Sequence, residues 1–422
     1  MEKYEKYKDS GVEWIGKIPN NWGVTKLKFH TNKIIDGAHF TPTYIDNVNG
    51  VPFLRVSDIH EVNIDLDTVK RIPLEEHKEL SKRCNPKKGD LLLSKNGTIG
   101  LMKIIDWDWE FSIFVSLCLI KFEESLTNSF FYYFFQSNIV ERQIFESSQK
   151  TSVTNLHLEK IKELRLTLPS LMEQTAIANY LDKKTTELDT LISKKENLIE
   201  LLKEERTAII NQAVTKGLDP DVEMKDSGVE WLGEIPAHWG VKKLKYIFDS
   251  KNTIRVPLNA EERGNMENKI YDYYGASGVI DFVDNYLFDE ETILIGEDGA
   301  NLLTRSKRLA FIAKGKYWVN NHAHILKPKN GNIEYLCELL ELIDYTEYVS
   351  GSAQPKLTQE ALMSINIFEP PIEEQNLIFK FLKTEFNRID TIISKAEQEI
   401  TLLEEYKTAL ISEVVTGKVK VV

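Results

Sequence analysis

Two hydrophobic patterns alternate along the chain and divide it into four segments. Residues 1–170 and 218–370 mix short β-branched and aromatic runs, such as Val51–Val56 and Leu91–Leu93, with Gly, Asn and Pro turns. This pattern predicts mixed α/β (α+β) domains built from short strands. Residues 171–217 and 371–422 each contain about 44 consecutive residues without Gly or Pro. These two segments are predicted to be single long helices, each roughly 65 Å in length.

Within the two long helices, apolar residues recur every seven positions. One row is nearly all apolar and its partner row is mixed, which is typical of a coiled coil with polar breaks. A helix of this kind cannot bury its apolar stripe alone, so we expect the two helices to pair with each other in antiparallel orientation. The predicted seam consists of Leu181, Leu188, Leu191, Leu198, Leu202 and Ile209 in the first helix and Leu382, Ile389, Ile392, Leu403 and Leu410 in the second.

The first half of the sequence is repeated in the second. Lys8–Phe29 and Lys225–Tyr246 are identical at 16 of 22 positions, at an offset of 217 residues. Shorter segments repeat at an offset near 201, namely LLLSKNG (Leu91–Gly97) with ILIGEDG (Ile293–Gly299) and LPSLMEQ (Leu168–Gln174) with EPPIEEQ (Glu369–Gln375). The chain is therefore predicted to be a tandem duplication with pseudo-two-fold symmetry.

Composition predicts a cytoplasmic protein with no membrane segment. The longest nearly apolar run, Phe111–Ile120, is about half of the roughly 20 residues that a membrane span needs. Three cysteines without a C-x-x-C spacing argue against a disulfide framework and a zinc site. The net charge of −12 disfavours nucleic acid as a partner of the whole surface, but residues 301–330 hold seven basic residues and no acidic one. A local field of this kind decides whether a phosphate backbone can dock.

No catalytic motif of credible spacing is present. Gly11-x-x-x-x-Gly16-Lys17 is followed by Ile18, where a phosphate-binding loop needs Ser or Thr, and the chain has no G-x-G pair. His322-x-His324 places two imidazoles on one face of a strand without a third ligand nearby, which leaves a metal and a contact to backbone or base both open. We therefore expect no enzymatic activity from the chain alone.

The repeated boxes resemble one protein family. GVEWIGKIPNNW and GVEWLGEIPAHW, the LPSLMEQ and EPPIEEQ boxes, and the segments SSQKTSVTNLHLEKIKEL and GSAQPKLTQEALMSI resemble, in this order, the specificity subunits of type I restriction–modification systems. The resemblance covers essentially the whole chain. It departs from the family pattern at Thr151–Asn155, where the second half has the more usual Ser352–Pro355.

The resemblance implies a non-catalytic subunit that recognises a bipartite, asymmetric site in double-stranded DNA. Residues 1–170 and 218–370 would each hold a repeated box and a target recognition domain, and the long helices would hold these domains apart and dock two modification subunits. It implies no cofactor in this chain and places S-adenosylmethionine, ATP and Mg in the partner subunits. Whether two restriction subunits also join is left open. The alternative is a coiled-coil protein–protein scaffold that does not bind DNA.

Base and phosphate contacts are expected from polar and basic side chains on loops. In the first domain the predicted DNA-binding residues are Ser94, Lys95, Asn96 and Thr98, followed by Lys150, Thr151, Ser152 and Thr154. In the second domain they are Arg305, Lys307, Arg308, Asn320, Asn321 and His322, followed by Ser352, Gln354 and Lys356. For each of them the alternative interpretation is a polar surface turn.

Overall fold

The computed structural model describes residues 2–46, 49–59, 64–146, 155–229, 231, 233–351 and 354–421. The chain forms two compact units, of which the first consists of two separate segments and the second is one continuous segment. The first unit contains residues 1–196 and 397–422, and the second contains residues 197–396. Each unit thus includes one half of each long helix.

The first unit begins with eleven short strands in the described residues and ends with a long helix. Its strands are β1 (Tyr7–Asp9), β2 (Lys17–Pro19), β3 (Gly23–Lys26), β4 (Thr31–Asp36), β5 (Val51–Leu54), β6 (Arg71–Ile72), β7 (Leu91–Ser94), β8 (Met102–Ile104), β9 (Ser112–Ile113), β10 (Leu117–Phe122) and β11 (Arg165–Leu168). Its helices are α1 (Leu74–Arg83), α2 (Asn128–Gln136), α3 (Asn138–Glu146), α4 (Leu158–Lys162) and the first long helix, α5 (Leu171–Lys216), which continues into the second unit.

The second unit repeats this organisation with additional strands. Its strands are β12 (Met224–Asp226), β13 (Glu234–Pro236), β14 (Gly240–Lys243), β15 (Phe248–Ser250), β16 (Tyr271–Gly275), β17 (Gly278–Val283), β18 (Phe288–Asp289), β19 (Thr292–Gly296), β20 (Ala310–Ala313), β21 (Lys316–Val319), β22 (Ala323–Pro328), β23 (Val349–Ser350), β24 (Lys356–Leu357) and β25 (Asn366–Glu369). Its helices are α6 (Leu244–Ile247), α7 (Ala260–Gly264), α8 (Asn301–Thr304), α9 (Ile333–Leu342), α10 (Gln359–Ser364) and the second long helix, α11 (Ile372–Val415), which continues into the first unit.

The central sheet has the same antiparallel order in both units. It runs β4-β10-β7-β8 in the first unit and β15-β22-β19-β20 in the second. The central strands β7 and β19 are buried on both faces, which explains why LLL and ILI are continuous apolar runs rather than alternating ones. A second sheet differs between the units, with order β6-β5-β9 in one and β17-β16-β21-β18 in the other. The predicted α+β class and tandem duplication are confirmed.

The two long helices pair in antiparallel orientation within each unit. In the first unit Lys407 Nζ lies 2.6 Å from Asp189 Oδ1, and Lys195 forms an ion pair with Glu399. Residue numbers therefore rise along one helix while they fall along the other. In the second unit Arg206 Nη2 lies 2.8 Å from Asp390 Oδ2. These cross-helix pairs confirm the predicted antiparallel coiled coil.

The seam follows the predicted apolar row but uses a different partner row. Leu181, Leu202, Leu382, Ile389 and Leu410 are buried, and Leu188, Ile209, Ile392 and Leu403 are half-buried. The placement of Leu191 and Leu198 in the seam is wrong, because these side chains are 41% and 40% exposed.

Ile192 and Ile199 lie inward in their place, and Ile199 is only 9% exposed. Either row satisfies a heptad, since core positions alternate by three and four residues. The inward row also contains Arg206, whose guanidinium lies 4.7 Å from the centre of the Phe386 ring.

Each repeated box is fixed to the start of a long helix by a tryptophan. Trp22 is buried, and its Nε1 donates to Glu173 Oε1 at 3.1 Å. The equivalent Trp239 donates to Glu374 Oε2 at 3.0 Å. Charge-assisted hydrogen bonds of this kind are stronger than neutral ones. The Glu of the repeated Glu-Gln pair thus ties the box to its helix.

The Gln of the same pair orients a shorter helix. Gln174 Nε2 donates to Pro169 O at 3.1 Å, and its Oε1 accepts from Thr127 N, the residue before α2, at 2.8 Å. Gln375 makes the same two bonds, to Pro370 O at 2.9 Å and from Asn332 N, before α9, at 3.0 Å. The long helices therefore position α2 and α9, and α9 carries the acidic side chains that face the basic run described below.

Candidate nucleic-acid interface

The turn after β7 in the first unit is held from inside by an ion pair. Lys95 is only 6% exposed, and its Nζ lies 3.3 Å from Oδ2 of the buried Asp36. Asp36 also accepts from Arg83 Nη2 at 2.5 Å and contacts His39 Nε2 at 2.9 Å. Burial raises the pKa of the Asp36 carboxyl, but the bonds from His39, Arg83 and Lys95 outweigh burial and hold that pKa below its usual value.

Ser94 and Lys95 therefore shape this turn and are not free to contact DNA. The hydroxyl of Ser94 donates to Thr98 O at 2.5 Å and accepts from Leu101 N at 2.8 Å, and the side chain is fully buried. The expectation that these two side chains touch DNA is corrected by their burial.

Asn96 and Thr98 remain at the surface of the turn. Thr98 is exposed, and Asn96 forms an isolated antiparallel bridge with Asn155. The Oδ1 atoms of both asparagines are buried and accept no hydrogen bond from the described part of the chain. The remaining predicted residues Lys150, Thr151, Ser152, Thr154 and Ser352 lie outside the described residues.

The turn after β19 in the second unit is held by ion pairs of a buried carboxylate, whereas the turn in the first unit is held by a buried lysine. Glu297 is buried, and its Oε2 accepts from Arg255 Nη1 at 2.5 Å. Lys356 Nζ lies 3.2 Å from Glu297 Oε1. Burial raises the pKa of Glu297, but the hydrogen bonds from Arg255 and Lys356 and the charges of His324 and Arg255 together lower that pKa below its usual value.

Several predicted residues of the second domain meet around Glu297. Glu297 N donates to His322 O at 2.8 Å, and Asp298 bridges to Lys356 through the backbone. The side chain of the buried Asn320 accepts from His322 N at 2.8 Å. Asn321 and Gln354 are exposed. We call Asp298, Asn320, Asn321, His322, Gln354 and Lys356 the second-unit loop cluster.

The two imidazoles of His322-x-His324 do not share a ligand site. His324 is buried, with Nδ1 2.8 Å from Asn252 Nδ2 and Nε2 2.8 Å from Leu357 O. His322 faces Asp298 instead. Within the described ranges, no three His, Cys, Asp or Glu side chains are grouped as a metal site would require.

The basic run of residues 301–330 is largely neutralised by acidic side chains. Arg308 Nη2 lies 2.9 Å from Glu338 Oε1, and Arg305 pairs with Glu341 at 3.6 Å, so α9 compensates both cations. Acidic partners also lie beside Lys314, Lys327 and Lys329. Lys307 is exposed and has no acidic side chain within 4 Å among the described residues. The positive electrostatic field predicted for this run is therefore reduced. Of the predicted residues Arg305, Lys307 and Arg308, Lys307 is the best placed to contact a phosphate.

One backbone frame supports both turns. Lys95 N donates to Ser116 O at 2.9 Å and Leu156 N donates to Lys95 O at 2.7 Å. The corresponding bonds in the second unit join Glu297 to His322 at 2.8 Å and Leu357 to Glu297 at 2.8 Å. The two units thus keep the main-chain bonds and differ in the side chains that these bonds present.

Sequence reasoning missed the residues that hold the turns, namely Asp36, Arg255, Glu297 and Asp298. A signal was present for two of them. LLLSKNG and ILIGEDG align Lys95 with Glu297 and Asn96 with Asp298. A charge reversal at a repeated position next to a buried strand indicates that its partner is reversed as well. The partners themselves are distant in sequence and leave no local pattern.

The fold and these loops define a class: a duplicated α+β protein with two long paired helices and two loop sets that differ in their polar side chains. A family described as the type I restriction modification DNA specificity domain matches residues 24–201 and 236–402. The chain belongs to this family. It is accordingly the DNA-specificity component of a type I restriction–modification system and not itself a catalyst, as the sequence predicted.

Individual relatives agree with this assignment. The chain is 25% identical over 440 residues to a putative type I restriction enzyme specificity subunit, MjaX, of Methanocaldococcus jannaschii, covering 96% of both chains. It is 32% identical over 163 residues, 38% of each chain, to a putative specificity subunit of Haemophilus influenzae.

Two solved structures share the fold. The HsdS subunit of Thermoanaerobacter tengcongensis aligns with TM-score 0.54 at 13% identity over 95% of this chain and 98% of that one. A second structure comes from a study of complex assembly and conformational transition in the type I R-M system. It aligns with TM-score 0.64 at 14% identity over 94% of this chain and 98% of that one. Among the described residues, no helix is long and apolar enough to cross a membrane.

Proposed function

We propose that each unit recognises one half of a bipartite, asymmetric site in double-stranded DNA. The observation that carries this proposal is the repeated turn after the central strand. The same main-chain bonds hold Lys95 in one unit and Glu297 in the other, while the neighbouring side chains differ. A common frame with different polar side chains suits two related domains that recognise different bases.

We assign the DNA contacts to polar side chains of these turns and of the neighbouring segments predicted from the sequence. In the first unit they are Asn96 and Thr98, with Lys150, Thr151, Ser152 and Thr154 retained from the sequence prediction. In the second they are the loop cluster, Ser352 and Lys307, whereas Arg305 and Arg308 contribute less because Glu341 and Glu338 partly neutralise them.

We assign the docking of two modification subunits to the long helices. In the first unit Leu191, Leu402 and Tyr406 are exposed, and in the second Leu198, Leu201 and Leu377 are exposed. Exposed apolar side chains such as Leu402 and Tyr406, which lie one turn apart on α11, favour a protein partner. The partner subunits would carry S-adenosylmethionine and, where restriction subunits join, ATP and Mg. Such a complex acts in the cytoplasm, where its DNA lies.

The test compares genome-wide DNA methylation in the native host with the gene intact and deleted. Loss of one bipartite, asymmetric methylated motif on deletion is the expected result. A purified complex should also bind mixed-sequence duplex with an affinity that falls steeply with salt. An unchanged methylome together with no salt-dependent DNA binding would favour the scaffold alternative.

A further inference from the structure

An acidic side chain lies among the polar groups of the second-unit loop cluster. The two carboxylate oxygens of Asp298 lie 2.9 and 2.8 Å from Nδ1 of His322. The Asp298 side chain is 18% exposed and that of His322 is 48% exposed, so the pair reaches the surface. One N–H shared between two oxygens leaves acceptor capacity on both of them.

The backbone fixes where this carboxylate points. The backbones of Asp298 and Lys356 form an isolated antiparallel β-bridge. The next residue, Gly299, donates its N–H to Pro355 O at 3.0 Å. Gly299 has a φ of +99°, a conformation that side-chain-bearing residues rarely adopt. The turn therefore holds Asp298 in one place without support from the ligand.

Asp298 pairs with His322 and not with the cationic side chains nearby. Arg255 and Lys356 are both committed to Glu297. Within the described ranges, no Lys or Arg side chain lies within 4 Å of the Asp298 carboxylate. Asp298 is thus the acceptor-only group at the surface of a cluster whose other members are donors or amides.

A carboxylate at a DNA interface has few favourable partners. Phosphates repel it, and so do the acceptors of guanine (O6 and N7) and thymine (O4) in the major groove. Adenine presents its N7 acceptor beside its amino group, whereas the N4 amino donor is the only polar group that cytosine itself presents in the major groove. We propose that Asp298, oriented by His322, accepts a hydrogen bond from the N4 amino group of a cytosine in the half-site of the second unit. This inference rests on the proposed function of that unit in DNA recognition.

The first unit makes the inference specific to one half-site. Its equivalent position holds Asn96, an uncharged amide whose Oδ1 is buried and whose Nδ2 is a donor. A change at Asp298 should therefore alter one position of one half-site and leave the other half-site unchanged.

The experiment compares methylated motifs in a host that carries the full complex with wild-type chain, Asp298→Asn or Asp284→Asn. Asp284 is an exposed acid of the same unit outside the loop cluster and serves as the matched control. We expect Asp298→Asn to reduce the preference for cytosine at a single position by about 5- to 150-fold, and Asp284→Asn to leave the motif unchanged. His322→Gln, which removes the imidazole that orients the carboxylate, should relax the same position to a smaller extent.

The outcomes separate this inference from the proposed function. A wild-type motif that persists unchanged in Asp298→Asn, or that weakens equally at every position, overturns the role of Asp298 and leaves DNA recognition standing. If Asp298→Asn abolishes all methylation, His322→Gln decides: relaxation at one cytosine supports the assignment, and an unchanged motif refutes it. A wild-type complex without any bipartite motif refutes the proposed function itself.

Discussion

Replacing Glu297 by Gln should destabilise the second unit and leave the first unchanged. The substitution keeps the shape of the side chain but removes the charge that faces Arg255 at 2.5 Å. Loss of a buried ion pair costs about 3–5 kcal/mol when a charge is left unpaired. Arg255 retains Ala323 O at 2.7 Å and Asn252 O at 3.2 Å as acceptors, and the half-exposed Lys356 can be hydrated. We therefore expect a loss of about 2–3 kcal/mol at pH 7.

Hydrogen exchange of the β19 and β22 amides at increasing urea measures this free energy in the second unit alone. Glu334→Gln is the control, because its partner Lys314 is half-exposed at 3.6 Å and such pairs contribute less than about 1 kcal/mol. A Glu297→Gln variant as stable as wild type would refute the role of the buried pair.

The pH dependence gives a second check. The folded-state pKa of Glu297 is lowered, because Arg255, His324 and Lys356 together outweigh the opposing effect of burial. Its stabilisation is therefore present above the unfolded-state value near 4.3 and is lost as pH falls through the lower folded pKa. The difference between wild type and Glu297→Gln should shrink below about pH 4. A difference that stays constant down to about pH 2 would contradict the ionic origin.

Three further predictions concern the helices and the basic run. In thermal unfolding, Ile199→Ala should cost about 2–4 kcal/mol and Leu198→Ala less than about 1 kcal/mol, because only Ile199 is buried in the seam. Equal losses of stability would contradict this assignment of Ile199 to the seam. Gly417→Ala should destabilise more than Gly217→Ala by about 1–3 kcal/mol. A Cβ at Gly417 would lie 2.4 Å from Pro19 Cδ, whereas at Gly217 the nearest atom is Glu374 Oε1 at 3.0 Å. Urea unfolding measures both. Lys307→Ala should reduce the salt slope of DNA binding by about 1 and Arg308→Ala by less, because Glu338 already pairs with Arg308; a larger effect of Arg308→Ala would show that this pair opens on DNA.

The periodic and repeated parts of the fold could be predicted from the sequence, and the choice between equivalent registers could not. The heptad row through Leu181 and Leu202 identified the paired helices, since both residues are buried as expected. Leu191 and Ile192 are both apolar and adjacent, so hydrophobicity cannot decide which one faces the partner. In the observed row Arg206 pairs with Asp390 and lies over the Phe386 ring. Both partners are some 180 positions away in the sequence, so no local pattern reveals these contacts.

The location of the DNA contacts stays a prediction, but the structure shows that some of the predicted side chains point inward. Polar residues after an apolar strand pointed correctly to Lys95–Thr98 and Asn320–His322 as loops, whereas Ser94 is the last residue of β7. The sequence could not show that Lys95 turns inward to Asp36, or that Glu338 and Glu341 lie opposite Arg308 and Arg305. Charge clusters along a chain describe a surface field only when their partners in space are known.

The reversed polarity of the two buried pairs bears on how the units came to differ. Lys95 with Asp36 and Glu297 with Arg255 hold the same main-chain bonds, so the frame needs an ion pair at this place but not a given orientation of it. A single reversal would bury like charges side by side, which is strongly unfavourable. The two members must therefore change together, while Asn96 and Asp298 beside them lie outside the pair and can change alone. Because the frame and the presented side chain are separable in this way, one duplicated fold can hold two different recognition surfaces.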